Sequence, residues 1–461
     1  MSDIICALST PPGMGAIAVI RLSGGGSAAL TDHFFRSPSG KKLADAAANT
    51  VHFGRIYSDG EVLDEVLVTV FRAPHSFTGE ESVEISCHGS VFIQQRLMEL
   101  LLANGARMAQ AGEFTRRAFR NGKFDLSQAE AVADLIASSS RAAHRVAMNQ
   151  MRGGFARKLA LLRDKLLQFV SLIELELDFS EEDVEFANRG LLYELTQEIE
   201  EEIVRLTDSF RLGNAIKGGI PVAIIGETNA GKSTLLNLLL NEERAIVSDI
   251  HGTTRDVIED VVNMEGVTFR FIDTAGIRQT TDTIETLGIE RTYRKIEQAS
   301  IVLWMIDLTT PRDKMEALAA SLIPRMKEKH LILLFNKADL IPEEQRVAME
   351  HFLPEVEGDR LFISAKQHYN TARLQQLLVQ AAAIPAISEE DVVVTNLRHY
   401  EALNKALEAI RRVEEGLKTG ITHDFISQDI RECMFYLGEI TGQISTDEIL
   451  GNIFSKFCIG K

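Results

Sequence analysis

The sequence predicts a multidomain chain: an N-terminal α+β domain, an α-helical bundle, and an α/β domain inserted into that bundle. Three observations predict it. The 461 residues are enough for about three domains. Between positions 218 and 383 short apolar runs alternate with helix-like stretches, the pattern of a parallel α/β sheet. Long helical stretches stand on both sides of that region, and their apolar faces need partners.

Apolar residues make up 45% and charged residues 25% of the chain, the balance of a soluble protein with a core. No apolar run approaches the ~18 residues of a membrane span. The start, Met1-Ser-Asp-Ile-Ile5, has no basic n-region, so neither a secretory signal nor a membrane partner is expected. Cys6, Cys87, Cys433 and Cys458 form no C-x-x-C pair and no metal spacing, which fits a reducing, cytoplasmic location. The net charge of −17 argues against a broad basic surface that grips nucleic acid by counterion release. Local basic patches remain compatible with it. An RNA substrate would call on a partner protein for much of the grip.

Residues 1–120 read as the α+β module. Gly15–Leu22 looks like a buried strand that runs into the Gly24-Gly-Gly26 turn. Val62–Phe71 and Glu81–Cys87 read as further strands, and Val91–Ala103 as a helix stopped at Asn104-Gly105. Three stretches stand out: Thr10-Pro-Pro-Gly13, Ser76-Phe-Thr-Gly-Glu80, and Ala111-Gly-Glu-Phe-Thr-Arg-Arg117 running on to Lys123. Each reads either as turn and cap chemistry or as part of a site.

The first part of the helical domain spans 121–217. Gln128–Arg152 reads as one helix, Phe155–Leu177 as a second and Leu191–Leu212 as a third. Asp178–Val184 reads as an acidic, solvated connector rather than a metal site. Lys217-Gly-Gly-Ile-Pro221 marks the boundary of the α/β domain, 218–383. Its expected strands are Pro221–Ile225, Asp256–Val262, Thr268–Ile272, Ile301–Ile306, Leu331–Phe335 and Leu361–Ile363. Its expected helices are Ile284–Gln298, Asp313–Lys327, Glu343–Phe352 and Thr371–Ala382. The chain is helical again over 384–461, at Leu397–Leu417, Asp424–Ile440 and Asp447–Phe454. Both helical sets join in one bundle if the α/β domain is inserted; otherwise they form two separate modules.

Chemistry concentrates in the α/β domain. Gly226-Glu-Thr-Asn-Ala-Gly-Lys-Ser233 reads G-x-x-x-x-G-K-S between a strand and a helix, the setting of a phosphate-binding P-loop. Asn229, Ala230, Gly231, Lys232, Ser233 and Thr234 are its candidate nucleotide contacts. Glycines let backbone N–H groups face a polyphosphate, Lys232 reaches the β- and γ-phosphates, and the Ser233 hydroxyl can ligate Mg²⁺. The helix dipole adds to the attraction. Asp273-Thr274-Ala275-Gly276 ends a strand, where an Asp can hold Mg²⁺ through water and a Gly N–H can face the γ-phosphate. Asn336-Lys337-Ala-Asp339 ends another, and its Asp carboxylate can accept hydrogen bonds from N1–H and the 2-amino group of guanine. Ser364-Ala365-Lys366 backs the base. Gly252-Thr253-Thr254-Arg255-Asp256 lies where a switch loop belongs, with Thr254 the second Mg²⁺ candidate. Five motifs in this order predict a Ras-like P-loop domain that binds and hydrolyses GTP.

One position departs from the Ras type. Ile277 follows Gly276, so no Gln orients the attacking water there. Glu285 is near enough in sequence to do so, or is an ordinary carboxylate at a helix start. Arg255 and Asp256 of the switch segment complete the catalytic candidates. No arginine finger is evident. The Asn229 side-chain oxygen can hold a monovalent cation, so K⁺ can supply charge where an arginine otherwise acts.

These motifs, with Thr10–Gly13, Ser76–Glu80, Gly112–Arg117, Asp249–Asp256 and the terminal Phe457-Cys-Ile-Gly-Lys461, resemble over the whole chain the tRNA-modification GTPase family called MnmE or TrmE. The resemblance implies a constitutive homodimer through a folate-binding N-terminal domain, and G domains that meet when GTP and K⁺ are bound. It implies an FAD-containing partner, MnmG (GidA), in a heterotetramer or larger complex acting on tRNA. The product it implies is a (carboxymethyl)aminomethyl group at C5 of the wobble uridine, with one carbon from a tetrahydrofolate derivative (5-formyl or methylene form) and nitrogen from glycine or ammonium. By motif position the family's K⁺ ligands fall on Asn229, Ser248, Ile250 and Thr253, and its Mg²⁺ ligands on Ser233 and Thr254. Ser248 and Thr253 also count as GTP contacts. Glu285 resembles the water-orienting glutamate. Arg21, Glu84, Lys123 and Lys461 fall at folate-binding positions, and Cys458 matches a cysteine proposed to take part in modification. Met14 stands where many relatives carry a basic residue.

Two rival readings are distinguishable. A ribosome-assembly switch that binds RNA in one nucleotide state often carries a KH module with a GXXG loop or a basic tail, and the sequence has neither. A folate-dependent one-carbon enzyme regulated by GTP needs a full chemical site within the chain. The terminal Cys-Ile-Gly-Lys461 sits where a prenylation box would, but Gly and Lys fit its last positions poorly and no polybasic segment precedes it.

Overall fold

The computed structural model describes residues 3–178, 189–242, 260–272, 285–326, 329–354, 356–383, 391–419, 421–445, 447–455, 457 and 459–460. They fall in two compact units, one within Met1–Ile136, Met148–Ile203 and Glu401–Lys461, the other within Ala137–Ala147 and Val204–Tyr400.

In the first unit seven strands form one sheet: β1 Ile5–Leu8, β2 Ile17–Ser23, β3 Phe35–Arg36, β4 Thr50–Ser58, β5 Glu61–Phe71, β6 Ser82–His88 and β7 Arg107–Met108. Their order is β3-β4-β5-β6-β2-β1-β7, antiparallel except for β1 beside β7. Helices α1 Ser27–Thr31, α2 Val91–Ala103 and α3 Glu113–Arg120 accompany it. Period-two alternation sets the faces: Val66, Val68 and Val70 of β5 are buried while Glu65 and Leu67 are exposed. Ile20, Leu22, Val83 and Ile85 join the same core, covered by Leu97 and Leu101 of α2. On the other face Arg21 lies opposite Glu84, and Glu84 opposite Thr69.

Strand β4 was not among the expected strands. Its outward positions include Val51 and Phe53, both exposed, while the inward positions include Gly54 beside Ile56, so the usual apolar-in pattern is blurred. Gly54 is small for a reason: a Cβ there would stand 2.4 Å from the Phe35 ring.

The expected helix Gln128–Arg152 is two helices, α4 Leu126–Ala137 and α5 Arg141–Met151. The break falls at Ser138-Ser-Ser140, and the Ser140 hydroxyl accepts from the Ala143 N–H at 3.2 Å. Serine competes with the helical backbone for its own hydrogen bonds, which favours a cap over continuation. Helix α6, Gly154–Asp178, and helix α7, Arg189–Gly218, follow. The acidic connector from Asp178 lies, beyond its first residue, outside the described residues.

The second unit holds a six-stranded sheet of β8 Ile220–Ile225, β9 Asp260–Met264, β10 Val267–Phe271, β11 Ile301–Asp307, β12 His330–Asn336 and β13 Asp359–Phe362. The order is β13-β12-β11-β8-β10-β9. The expectation of a parallel sheet needs correction at one edge. There β9 runs antiparallel to β10 because a two-residue turn, Glu265-Gly266 with φ 50° and 83°, joins them. Flanking helices are α8 Lys232–Glu242, α9 Glu285–Gln298, α10 Arg312–Leu322, α11 Glu343–Glu350 and α12 Thr371–Ala382. Helix α10 ends short of the expected Lys327. Pro324 cannot donate to the helical ladder, and Ile323–Arg325 tightens into a 3₁₀ turn.

Three helices close the chain: α13 Leu397–Thr419, α14 His423–Thr441 and α15 Asp447–Phe454. Helix α6 packs against α14 and buries Leu159, Leu162, Leu166, Phe169 and Ile173, spaced alternately three and four apart. Tyr193 of α7 donates to Glu414 of α13 at 2.9 Å, and Arg411 to Glu200 at 2.8 Å. Helices before and after the α/β domain thus make one bundle, and the α/β domain is an insertion in it.

Candidate functional site

The phosphate loop leaves the sheet at Ile225 and re-enters regular structure at Lys232. Two glycines are sterically required. Gly226 has φ 144°, and a Cβ there would meet the Met305 carbonyl of β11 at 2.3 Å. Gly231 has φ 104°, and its Cβ would meet Asn336 Nδ2 at 2.3 Å. Asn229, exposed, also lies in the left-handed region with φ 64°. Left-handed backbone of this kind is what lets a loop aim its N–H groups at an anionic phosphate. Lys232 Nζ donates to the Gly226 and Glu227 carbonyls at 2.8 and 2.6 Å. Burial pushes its ammonium down to about 8, the Lys295 charge adds to that, and Glu227 opposes it. Ser233 and Thr234 occupy the first turn of α8.

At the ends of β12 and β13 the base loops assemble. Asn336 is buried; its Nδ2 donates to the Ala230 carbonyl at 2.7 Å and its Oδ1 accepts from the Ala365 N–H at 3.0 Å. One side chain therefore holds the phosphate loop and the Ser364-Ala365 loop together. Ala338 N–H donates to the Ile363 carbonyl at 3.1 Å, and Ser364 Oγ accepts from Gln367 N–H at 3.2 Å. Asp339 stays exposed, its carboxylate available to a base.

Asp307 is a residue the sequence reading missed. It ends β11, opposite Asn336 in register, and accepts from Lys337 Nζ at 2.5 Å. Burial pushes its carboxyl up, but Lys337 and the Thr309 hydroxyl and amide outweigh that and hold it below the ordinary value. The signal was available: an acidic residue at the C-terminal end of a parallel strand in a nucleotide-binding sheet.

A second constellation sits on the outer face of the N-terminal sheet. Arg21 and Glu84 pair at 2.8 Å, and the Arg21 guanidinium lies 5.2 Å from the Phe77 ring and 5.8 Å from the Phe114 ring. Lys123 Nζ donates to the Pro74 carbonyl at 3.1 Å, beside the Ser76–Glu80 stretch. Ser9 Oγ donates to the Gly460 carbonyl at 3.3 Å, so the chain end meets the strand that leads into Thr10–Gly13.

The stretches Ser76–Glu80 and Gly112–Arg117 are joined by turn and ion-pair chemistry. Arg117 bonds Glu80 at 3.0 Å, Glu113 at 3.2 Å and Asp3 at 2.7 Å, and Arg107 bonds Glu113 at 2.7 Å. Ser23 donates to Glu80 at 2.8 Å, and Asn121 to the Thr78 carbonyl at 2.7 Å. Glu113 is 3% exposed. Its burial raises the carboxyl, but Arg107, the Gln110 N–H and Arg117 overcome this and set it at about 2.

Among the described residues the geometry fits a guanine nucleotide: a loop with two glycines that admit no Cβ, a lysine bonded to its carbonyls, and an exposed carboxylate three residues beyond Asn336. The Arg21–Glu84 pair, with the partly buried Phe77 ring beside it, offers ionic and stacking partners to a flat heteroaromatic ring with amide-like edges, while Phe114 is fully buried behind them. Several predicted residues lie outside the described residues: Ser248, Ile250, Thr253, Thr254, Arg255, Asp256, Asp273, Thr274, Ala275, Gly276, Cys458 and Lys461. Glu285 is the first residue of α9. Among the described residues no group of three or more His, Cys, Asp or Glu is placed to hold a metal, and no helix is long and apolar enough to cross a membrane.

A family model described as the MnmE helical domain matches residues 126–458, and one described as the GTP-binding protein TrmE N-terminus matches 4–123. The chain is 60% identical to the tRNA modification GTPase MnmE of Bacteroides thetaiotaomicron, over 100% of this chain and 99% of that protein. It is 61% identical to the protein of the same name from Bacteroides fragilis, again over 100% and 99%. A solved structure of Aquifex aeolicus Era bound to GDP and AlF₄⁻ is 28% identical over 41% of this chain and 66% of that one, with a TM-score of 0.28.

Proposed function

The chain belongs to the MnmE family of tRNA-modification GTPases, and from that premise we propose the following function for it. It is a K⁺-stimulated GTPase that works with an FAD-containing partner of the MnmG (GidA) kind. Together they add a (carboxymethyl)aminomethyl group to C5 of the wobble uridine of certain tRNAs. The one-carbon unit comes from a tetrahydrofolate derivative.

The observation that carries the GTPase reading is the Asn336 bridge, which locks the phosphate loop and two base loops at one end of the sheet. Lys232 and the loop N–H groups bind phosphate oxygens, and Asp339 accepts from the guanine edge. Ser233 and Thr254 are the residues that would hold Mg²⁺, which spreads the charge of the phosphates. Asn229, with oxygens of Ser248, Ile250 and Thr253, would hold K⁺. Glu285 orients the attacking water, and Arg255 and Asp256 of the Gly252–Asp256 segment are the further catalytic candidates. Arg21, Glu84, Lys123 and Lys461 would bind the folate, and Cys458 is the candidate for the modification chemistry. The exposed apolar positions Val51, Phe53 and Leu67 on the outer sheet face support pairing with a second copy, since a soluble surface rarely leaves such a patch uncovered.

The test is GTP turnover by the purified chain in K⁺ and in Na⁺. A sharp fall in Na⁺ is expected, and equal rates remove the cation from the account. Glu285→Ala is expected to keep GTP binding and lose turnover.

A further inference from the structure

The turn between β11 and α10 touches both halves of the nucleotide site. Its backbone closes with Thr310 N–H on the Asp307 carbonyl at 3.0 Å. The Asp307 Oδ1 accepts from the Thr309 N–H at 2.9 Å and the Thr309 hydroxyl at 2.7 Å, so the carboxylate cannot swing. Its Oδ2 is left for Lys337, at 2.5 Å. On the other side Thr310 Oγ1 reaches Glu227 of the phosphate loop at 3.4 Å.

Lys337 needs such a hold. Its φ of 63° places a non-glycine residue in the left-handed region, a conformation that persists when its surroundings over-determine it. Asp339 lies two residues on, in the 3₁₀ turn Ala338–Leu340 that starts from Lys337, and Leu340 N–H donates to the Lys337 carbonyl at 2.9 Å. The Asp307 side chain is 11% exposed and that of Lys337 31%, so the pair is only partly screened by water.

We propose that Asp307 is a positioning residue for guanine-nucleotide binding: it anchors Lys337, and through Lys337 it fixes the turn that presents Asp339 to the base. This rests on the reading of Asn336–Asp339 as the guanine loop. Asp307 touches no nucleotide itself. Its effect is to pre-pay the ordering of that loop, so its loss raises the dissociation rate of GDP and GTP alike.

The test is Asp307→Asn in the full chain, which keeps an acceptor for Thr309 and removes the charge facing Lys337. GDP dissociation rate, GDP Kd and thermal midpoint without nucleotide are measured. The rate and Kd are expected to rise about tenfold, with the midpoint within about 2 °C of the parent. Asp307→Glu is expected to recover part of the affinity. Lys337→Met is expected to weaken binding as well, and the double variant to be no weaker than Lys337→Met alone, because both act through one contact. Asp339→Ala is the control for the guanine loop. If it loses GDP while Asp307→Asn does not, the anchor role is overturned and the loop reading stands. If Asp339→Ala binds GDP normally, the loop reading itself falls. Additive losses for Asp307→Asn and Lys337→Met, or no recovery with Glu, also overturn the anchor.

Discussion

Asn336 donates to the carbonyl of Ala230 at 2.7 Å, although 106 residues separate them in sequence. The carbonyl belongs to the Gly226–Ser233 loop and the amide to the Asn336–Asp339 loop, so the two loops share one buried hydrogen bond. The same side chain accepts from Ala365. Asn336→Ala leaves the Ala230 carbonyl and the Ala365 N–H without this partner in a dry setting, at about 2–3 kcal/mol of stability. GTP affinity is expected to fall at least about tenfold. Denaturant unfolding and nucleotide titration check both, and unchanged affinity would mean the loops are held by something else.

Lys232 gives a pH dependence with a definite sign. Burial and Lys295 set its ammonium at about 8, and a bound polyphosphate raises that value because it favours the charged form. Below about 8 the lysine is charged before binding, and affinity is flat. Above about 8 the site must take up a proton to bind, so log Kd for GDP rises with pH by up to about one per unit. Titration calorimetry in buffers of different ionisation enthalpy reads that uptake directly. A flat Kd to about pH 9 contradicts it.

Glu113 makes a stability prediction for the N-terminal domain. Its folded value of about 2 lies below the unfolded value of about 4.3. The contribution is therefore present at neutral pH and lost as pH falls from about 4 towards 2. Glu113→Gln is expected to cost about 2–3 kcal/mol at pH 7 and progressively less in acid. Urea unfolding at several pH values tests it; a cost independent of pH would assign the loss to packing.

Arg21 and Glu84 are partly exposed, and their ion pair adds little stability. Glu84→Gln is expected to leave thermal stability nearly unchanged while weakening 5-formyltetrahydrofolate binding about tenfold or more. Equilibrium dialysis decides between that and a purely structural pair.

The α/β domain was the most legible part of the sequence. Its central strands β8, β11 and β12 are nearly continuous apolar runs, and the motifs among the described residues follow the ends of β8, β12 and β13, where backbone geometry leaves few choices. The core of the N-terminal sheet was legible for β2, β5 and β6. Strand β4 was not, because Val51 and Phe53 point outward and Gly54 inward. The break at Ser138–Ser140 was hidden in a helix-like pattern, since the polar run was short and apolar spacing resumed after it. Asp307 went unread because the expected strand stopped at Ile306, and its role depends on a partner 30 residues away. Long-range ion pairs such as Arg117 with Asp3 have no local signature at all.

The central claim is that this GTP site serves modification of the tRNA wobble uridine. Mass-spectrometric nucleoside analysis of tRNA from a strain lacking the chain tests it most directly. Loss of the C5 aminomethyl-type group, restored by the wild-type chain and not by Glu285→Ala, is the predicted result. Intact C5-modified wobble uridine in the deletion strain would contradict the account.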